Sequence, residues 1–476
     1  MVQGKVDRRI IDYFLSHQEE LLENLAQLIE IPSVVSSPLV GMPYGKDANS
    51  VLMAAVRMAK HMGFNTNVLD GSCMTIDYND RPHRLFLMAH LDVVEAGDGW
   101  TRPPYALSRE GEWVFGRGVA DNKGACVALM YAMQAAREIC PELPYSPQAW
   151  FGTAEEVGSP DLREYIRNRI LPQFVLTPDA LDPIVIGESA KYRPDFYAEW
   201  KRTEELPQVI SLQGGKVRNA IPGFATATVA GLNVADVEGK ANNITKKTKV
   251  SFILLKTDIG LQIRAVGLGA HIGRPELGHN AQTALVMLLA SLPLAQCPST
   301  RALRVLARLF PCDDSSGAKL GLKLHDNIFG SSYVNFTVCQ MNEIGIRCKM
   351  DARGPLVSEP DNFSNVIDRA LRREGFVVVA STMDDAHYVS EQLPLVQKMR
   401  KLYRTYFRQS ITCSISIGAS YAHYIPGAIA TGVATPGVDT MLHKPDERML
   451  IQDIIRIGMI YTQAILDICG QMQIHR

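Results

Sequence analysis

Residues 84–97 read RLFLMAHLDVVEAG, a run that starts as a buried strand and ends in chemistry. Arg84 to Ala89 is short and almost wholly apolar, and it follows the turn-forming NDRP at 79–82, the pattern of a strand covered on both faces. Side chains along a strand alternate, so His90 and Asp92 point the same way if the strand runs through them. Asp92 can then accept one imidazole N–H and leave the other ring nitrogen free for a metal.

Working outward, the first third of the chain alternates helix and strand signals. Helices are expected at 8–30, 50–62 and 124–137, and strands at 84–89, 148–153 and 174–176. That order implies α/β layers around a largely parallel sheet whose strand ends carry function. Beyond about residue 190 the pattern turns β-rich, with FATATVAGLNV at 224–234 and IGLQIRAVGLG at 259–269. A helical run follows at 280–295, then a hairpin at 336–351 with Met341-Asn342-Glu343 as its turn. FVVVA at 376–380 is read as a strand, followed by helices at 395–407 and 449–469. The organisation expected is a catalytic domain in two parts, 1–190 and 376–476, with an inserted α+β lid domain at 191–375. A degenerate duplication inside the insert is left open.

The 476 residues are 46% apolar, enough for two or three domains. Lys plus Arg is 49 against 50 for Asp plus Glu, a formal charge of -1, so no positive field is available to gather nucleic acid or an anionic membrane. Nine cysteines include no CxxC pair, which speaks against a thiolate zinc site and for reduced thiols in a cytoplasmic protein. The first 34 residues lack the apolar stretch of a signal peptide. The most apolar segments, 125–136 and 283–295, fall short of the roughly 20 residues that span a bilayer.

Four further stretches carry carboxylates or histidine near strand or helix ends. VFGRGVADNKGA, residues 114–125, places Asp121 in a glycine-punctuated loop before a helix; its GxG fits neither a dinucleotide fingerprint nor a Walker loop. WFGTAEEVGSPD, residues 150–161, holds Glu155 and Glu156. In isolation these would be two solvated charges, but beyond a strand end their side chains can diverge, one to a metal and one to its water. VLTPDALDPIV, residues 175–185, puts Asp179 after a strand, and DTMLHKPDE, residues 439–447, puts His443 near the start of the last helix. Each is weak alone. Together they form the mixed nitrogen and oxygen donor set of a closely spaced pair of divalent cations.

The ordered set MAHLDVV, GRGVADNKG, GTAEEVGSPD, LTPDA, GLGAHIGRPELGHNA and DTMLHKPDE resembles the dinuclear zinc metallopeptidases that include aminoacylases, desuccinylases, carnosinases and PepV-type dipeptidases. The resemblance spans about residues 10–470, and GGKVRNAIPGFATA together with the length favours the PepV-type branch. It implies two Zn ions per chain, with Mn or Co as substitutes, bridged by Asp121. His90 and Asp179 would hold one ion, and Glu156 and His443 the other. By the same resemblance Asp92 orients His90, Glu155 is the general base, and a non-proline cis peptide joins Asp121 to Asn122.

The resemblance further implies that His271 stabilises the oxyanion, that Asn219 hydrogen-bonds the substrate and that Arg353 pairs with its terminal carboxylate. The planar guanidinium fork suits that last task. Gly418 and Ser420, in IGASYAHYIPG at 417–427, match a loop beside the substrate. Two positions depart from the usual pattern: Ala419 stands where PepV-like chains have glycine, and Asn122 where related enzymes often have aspartate. His279 is matched to no role. The function implied is hydrolysis of dipeptides or short peptides by a metal-activated water. An N-acyl amino acid deacylase or desuccinylase is the first alternative, and a noncatalytic zinc-dependent binding or scaffold protein the second. A small peptide is the expected partner, with neither nucleic acid nor membrane, and a monomer is expected over a homodimer.

Overall fold

The structure is a computed structural model that describes residues 6–272, 275–379 and 381–470. The backbone divides into two compact units, one made of Met1–Gly187, Tyr388–Ser414 and Ala419–Arg476, the other of Glu188–His387 and Ile415–Gly418. Among the described residues no helix is long and apolar enough to cross a membrane.

The first unit is built on a mixed sheet with a parallel centre. Its order runs Asn65–Leu69, Cys73–Asp77, Ser146–Gly152, His83–His90, Phe174–Ala180, Ile429–Gly432, Ile184–Glu188. His83–His90 lies parallel to Ser146–Gly152 on one side and to Phe174–Ala180 on the other, and Ile429–Gly432 runs parallel to Phe174–Ala180. Leu85 to Ala89 are fully buried, as a central strand covered on both faces requires. The helix Lys123–Ile139 is buried nearly all round, which its run of Ala, Val, Leu and Met permits, and it packs against Ile451–Cys469.

The second unit is an antiparallel sheet in the order Ser251–Thr257, Gly260–Val266, Phe224–Ala230, Gln208–Gly214, Tyr333–Asn342, Gly345–Gly354, Asp195–Glu199, Val377–Val379. Helices Val234–Thr248, Ala281–Ser291, Pro298–Leu309 and Ser364–Arg373 contribute to its apolar core. This combination of mixed α/β sheet and helix-backed antiparallel unit is the expected fold class.

Several local expectations are corrected. The strand signal at 376–380 becomes Val377–Val379, paired with Asp195–Glu199 in the second unit, and the chain rejoins the first unit only at Tyr388. The first helix breaks at His17 into Arg8–Ser16 and Gln18–Ile29, because the Ser16 hydroxyl and the His17 ring both turn onto the Tyr13 carbonyl, at 2.9 and 2.8 Å. The hairpin turn is Glu343-Ile344, since Met341 and Asn342, expected in the turn, still pair with Ile346 and Gly345. The last helix begins at Ile451; Arg448–Leu450 is a strand against Trp113–Phe115, so His443 belongs to the turn before that strand. Asp179 lies inside its strand, one residue before the end.

The close fit between the terminal helices gives a test. A methyl group at Gly458 would lie 2.2 Å from the Phe14 ring. Gly458→Ala should therefore destabilise the protein by about 1–3 kcal/mol through overpacking. Denaturant unfolding should show a lower midpoint with an unchanged slope.

Candidate metal centre

Sheet register brings the predicted donors to one edge. His90 closes its strand level with Gly152 of the neighbouring strand, so the chain beyond Gly152 delivers Glu155 and Glu156 beside it in a short 3-10 turn, Glu155–Val157. On the other side Leu87 lies level with Leu176, which sets Asp179 opposite His90. Asp121 sits just before the helix Lys123–Ile139, joined to Asn122 by the cis peptide that the resemblance implied. His443 reaches the same place from the turn before Arg448–Leu450, with a left-handed backbone at φ 59°.

The Asp121 carboxylate stands between two imidazoles. His90 Nε2 is 2.9 Å from Oδ1 and His443 Nε2 is 2.8 Å from Oδ2. His443 Nε2 is also 3.0 Å from Glu156 Oε1, and His90 Nε2 is 3.7 Å from Asp179 Oδ1. One donor atom from each of His90, Asp121 and Glu156 lies within 4.8 Å of the others, and so does one from each of His90, Glu155 and Asp179. All five expected ligands are thus together, and Glu155, the expected general base, lies beside them.

Asp92 does two things at once. His90 Nδ1 lies 3.0 Å from the Asp92 carbonyl and 3.4 Å from its carboxylate, which makes Nδ1 the protonated nitrogen and turns Nε2 toward the carboxylates. The two Asp92 oxygens also accept the backbone N–H groups of Glu155 and Glu156, at 3.1 and 3.0 Å. Asn122 shows why an amide suits its position: its Nδ2 donates to the Pro178 carbonyl at 2.7 Å and to Asp179 Oδ1 at 3.2 Å, which an ionised aspartate could not do.

The electrostatics show a crowded anionic site. Burial and the neighbouring Asp179 push the Glu155 carboxyl well above the usual carboxylate range. Burial likewise raises Asp179, to about 7, with Asp121 and Glu156 adding to the rise against the pull of His90. Asp121 moves down, because the hydrogen bonds from His443 and His90 outweigh its burial. Burial alone would depress both histidines, yet the carboxylates hold His90 and His443 well above their ordinary value. With its Nδ1 proton committed to Asp92, neutral His90 would aim a lone pair at carboxylate oxygens, a repulsion that a cation between them removes. The donor set therefore fits a divalent metal pair.

Of the remaining expected site residues, Arg353 is buried in the second unit, where its Nε and Nη2 engage both oxygens of Asp351 and Nη1 donates to the Ile417 carbonyl at 2.9 Å. Asn219 precedes the short strand Ala220–Ile221, whose Ala220 pairs with His271. The His271 side chain lies outside the described residues. Ser420 Oγ accepts from Ala422 N at 3.2 Å and starts a 3-10 turn, Tyr421–Tyr424, while Gly418 falls in the segment Ile415–Gly418.

Glu447, inside DTMLHKPDE, is a functional residue that the sequence alone does not mark. This fully buried carboxylate accepts from the backbone N–H groups of Gly118, Ala120 and Asp121 at 3.1, 3.0 and 3.2 Å, and pairs with buried Arg117. It ties the loop carrying Asp121 to the segment carrying His443. Its only sequence signal is an acidic residue four positions beyond a ligand histidine, with no hint of the partner Arg117. Glu447→Ala would leave three N–H groups unpaired and the buried Arg117 guanidinium with backbone carbonyls but no carboxylate, which costs about 3–5 kcal/mol for a broken buried pair. Thermal unfolding should show that loss, and zinc titration should show an affinity lowered about 10- to 100-fold.

Comparison with known proteins agrees with this geometry. The profile of Peptidase family M20/M25/M40 matches residues 86–467. A Beta-Ala-Xaa dipeptidase from Lactobacillus delbrueckii subsp. lactis is 25% identical over 463 residues, covering 95% of this chain and 96% of that protein. Human carnosine dipeptidase 1 superposes with a TM-score of 0.60 at 13% identity, covering 98% of this chain and 100% of that one. The di-peptidase Dug1p from Saccharomyces cerevisiae gives 0.61 at 12% identity, covering 98% and 99%. At those identities the superpositions establish the fold alone. The profile match spans most of the chain, and with it the protein belongs to peptidase family M20/M25/M40, a family of metallopeptidases.

Proposed function

We propose that this metallopeptidase hydrolyses the peptide bond of dipeptides or other short peptides with a free carboxyl end, at two zinc ions held by His90, Asp121, Glu156, Asp179 and His443. The observation that carries this reading is the placement of the two Asp121 oxygens, one against each histidine, at 2.9 and 2.8 Å. A carboxylate so shared suits a bridging ligand. Similarity to dipeptidases over almost the whole chain supports the substrate class.

A bound divalent pair acidifies water and polarises a carbonyl oxygen. Glu155 receives the proton of the attacking water and returns it to the leaving amine; its raised affinity for a proton suits both transfers. Asp92 holds His90 in the tautomer that offers Nε2, and its grip on two amides of the Glu155-Glu156 turn fixes where both carboxylates start. Asn122 holds Asp179. Asn219, His271 and Arg353 complete the reading as groups that bind the substrate and its oxyanion, and Gly418 and Ser420 as its neighbours, on the strength of the family resemblance. Nine free thiols suit a cytoplasmic setting.

The test is a panel of dipeptides, acetyl amino acids and succinyl amino acids, followed by mass spectrometry with Zn, Mn or Co. The expected products are free amino acids from the dipeptides. Glu155→Ala should lower kcat by about 10²- to 10⁴-fold, the usual worth of a general acid-base group, while zinc content stays at the parent level. Acyl release without dipeptide cleavage would make the protein a deacylase, and zinc binding without any turnover would make it a binding protein; either result overturns the dipeptidase reading.

A further inference from the structure

The turn that presents Glu155 and Glu156 is held by more than Asp92. Four successive backbone N–H groups, from Thr153 to Glu156, are each taken by one of two buried carboxylates. Asp92 accepts the last two. Asp161 accepts the first two through a single oxygen, Oδ2, at 2.7 Å from Thr153 N and 2.9 Å from Ala154 N. Its other oxygen accepts from Leu162 N at 2.8 Å.

The same Oδ2 accepts the Tyr421 hydroxyl at 2.7 Å, from the opposite end of the sequence. Asp161 is 1% exposed and Tyr421 0%, so both contacts are shielded from bulk water. The Tyr421 ring stands edge-on to His90, with centroids 6.3 Å apart and planes at 86°, and edge-on to Trp150 at 4.9 Å. Gly152 leaves room for this pair: a methyl group there would come within 2.1 Å of the Tyr421 oxygen and 2.3 Å of Asp161 Oδ2. One hydrogen bond therefore connects the side chain packed on the His90 ring to the amides that lead into Glu155.

Resting on the hydrolase reading above, we propose that Asp161 and Tyr421 are a positioning pair that fixes the Glu155-Glu156 turn against His90. Neither touches the reacting atoms. Asp161 clamps the entry to the turn, and Tyr421 fixes the direction of the Asp161 carboxylate. Without that clamp the Thr153 and Ala154 amides lose their acceptor, Asp92 is left as the one carboxylate on the turn's N–H groups, and the Glu155 carboxylate and the Glu156 ligand atom lose their set relation to His90. An asparagine at 161 cannot reproduce the arrangement. Whichever way its amide faces, an NH2 group meets at least one N–H donor.

The test uses the full-length, metal-loaded protein as parent, Tyr421→Phe, Asp161→Asn and the double variant. Three quantities are read: kcat and KM for a cleaved dipeptide, zinc affinity by chelator competition, and the thermal midpoint. Tyr421→Phe should lower kcat about tenfold with KM within twofold, and weaken one of the two zinc ions about tenfold, the usual range for a group behind a ligand. Asp161→Asn should lose more of both, and adding Tyr421→Phe to it should cost little further, because the two act as one unit. A lower thermal midpoint with parent kcat and parent zinc affinity in Tyr421→Phe would overturn the proposal, as would fully additive losses in the double variant. Should Asp161→Asn fail to fold, Tyr421→Phe decides alone. If the parent cleaves no dipeptide, the hydrolase reading falls, and zinc competition still decides whether the pair sets the turn.

Discussion

Everything at the site depends on one carboxylate facing two imidazoles. Asp121 meets His90 through one oxygen and His443 through the other, although those histidines lie far apart in sequence. Around it Asp92, Glu155, Glu156 and Asp179 bring four more carboxyl groups into a largely buried space, and burial, with neighbouring carboxylates adding to it, raises the proton affinities of Glu155 and Asp179. Such a cluster is unfavourable without cations. The protein holds it in place with backbone amides and with buried groups that are not themselves donors to the metal.

Those holding groups follow one physical rule. A buried carboxylate needs several hydrogen-bond donors, and the cheapest supply near a strand end is the backbone of the next loop. Asp92 takes the amides of Glu155 and Glu156, Asp161 those of Thr153 and Ala154, and Glu447 those of Gly118, Ala120 and Asp121. Asp92 and Glu447 each fix a ligand-bearing loop from another segment, and Asp161 fixes the one just before it. The rigidity of the centre therefore comes from a second ring of acids whose negative charge is spent on N–H groups.

His90, Asp121, Glu156 and Asp179 were legible in the sequence because each stands near the end of a recognisable strand or in the loop before a helix, whereas His443 was read as preceding a helix and precedes a strand. RLFLMA drew attention to His90 and Asp92, each stretch was weak alone, and the roles of Asp121, Glu155, Glu156, Asp179 and His443 came from the family resemblance of the ordered set. Asp161 and Glu447 lie inside these motifs yet passed unmarked, because their importance lies in which amides they meet and, for Asp161, in a hydroxyl 260 residues away. The break at His17 depends on a side chain turning back onto Tyr13, a choice that helical periodicity does not record. The helix Val234–Thr248 was missed although Asn233 and Asp236 form a capping box, because its sequence is mostly polar. Val377–Val379 looked like a strand and is one, but nothing local says which sheet it joins.

Anomalous diffraction at the zinc edge from zinc-loaded crystals tests the account most directly. It predicts two peaks about 3.5–4 Å apart, the spacing of two-metal sites, flanking Asp121. One should lie against His90 and Asp179, and the other against His443 and Glu156. A single peak away from Asp121, or two peaks that its carboxylate does not join, would contradict it.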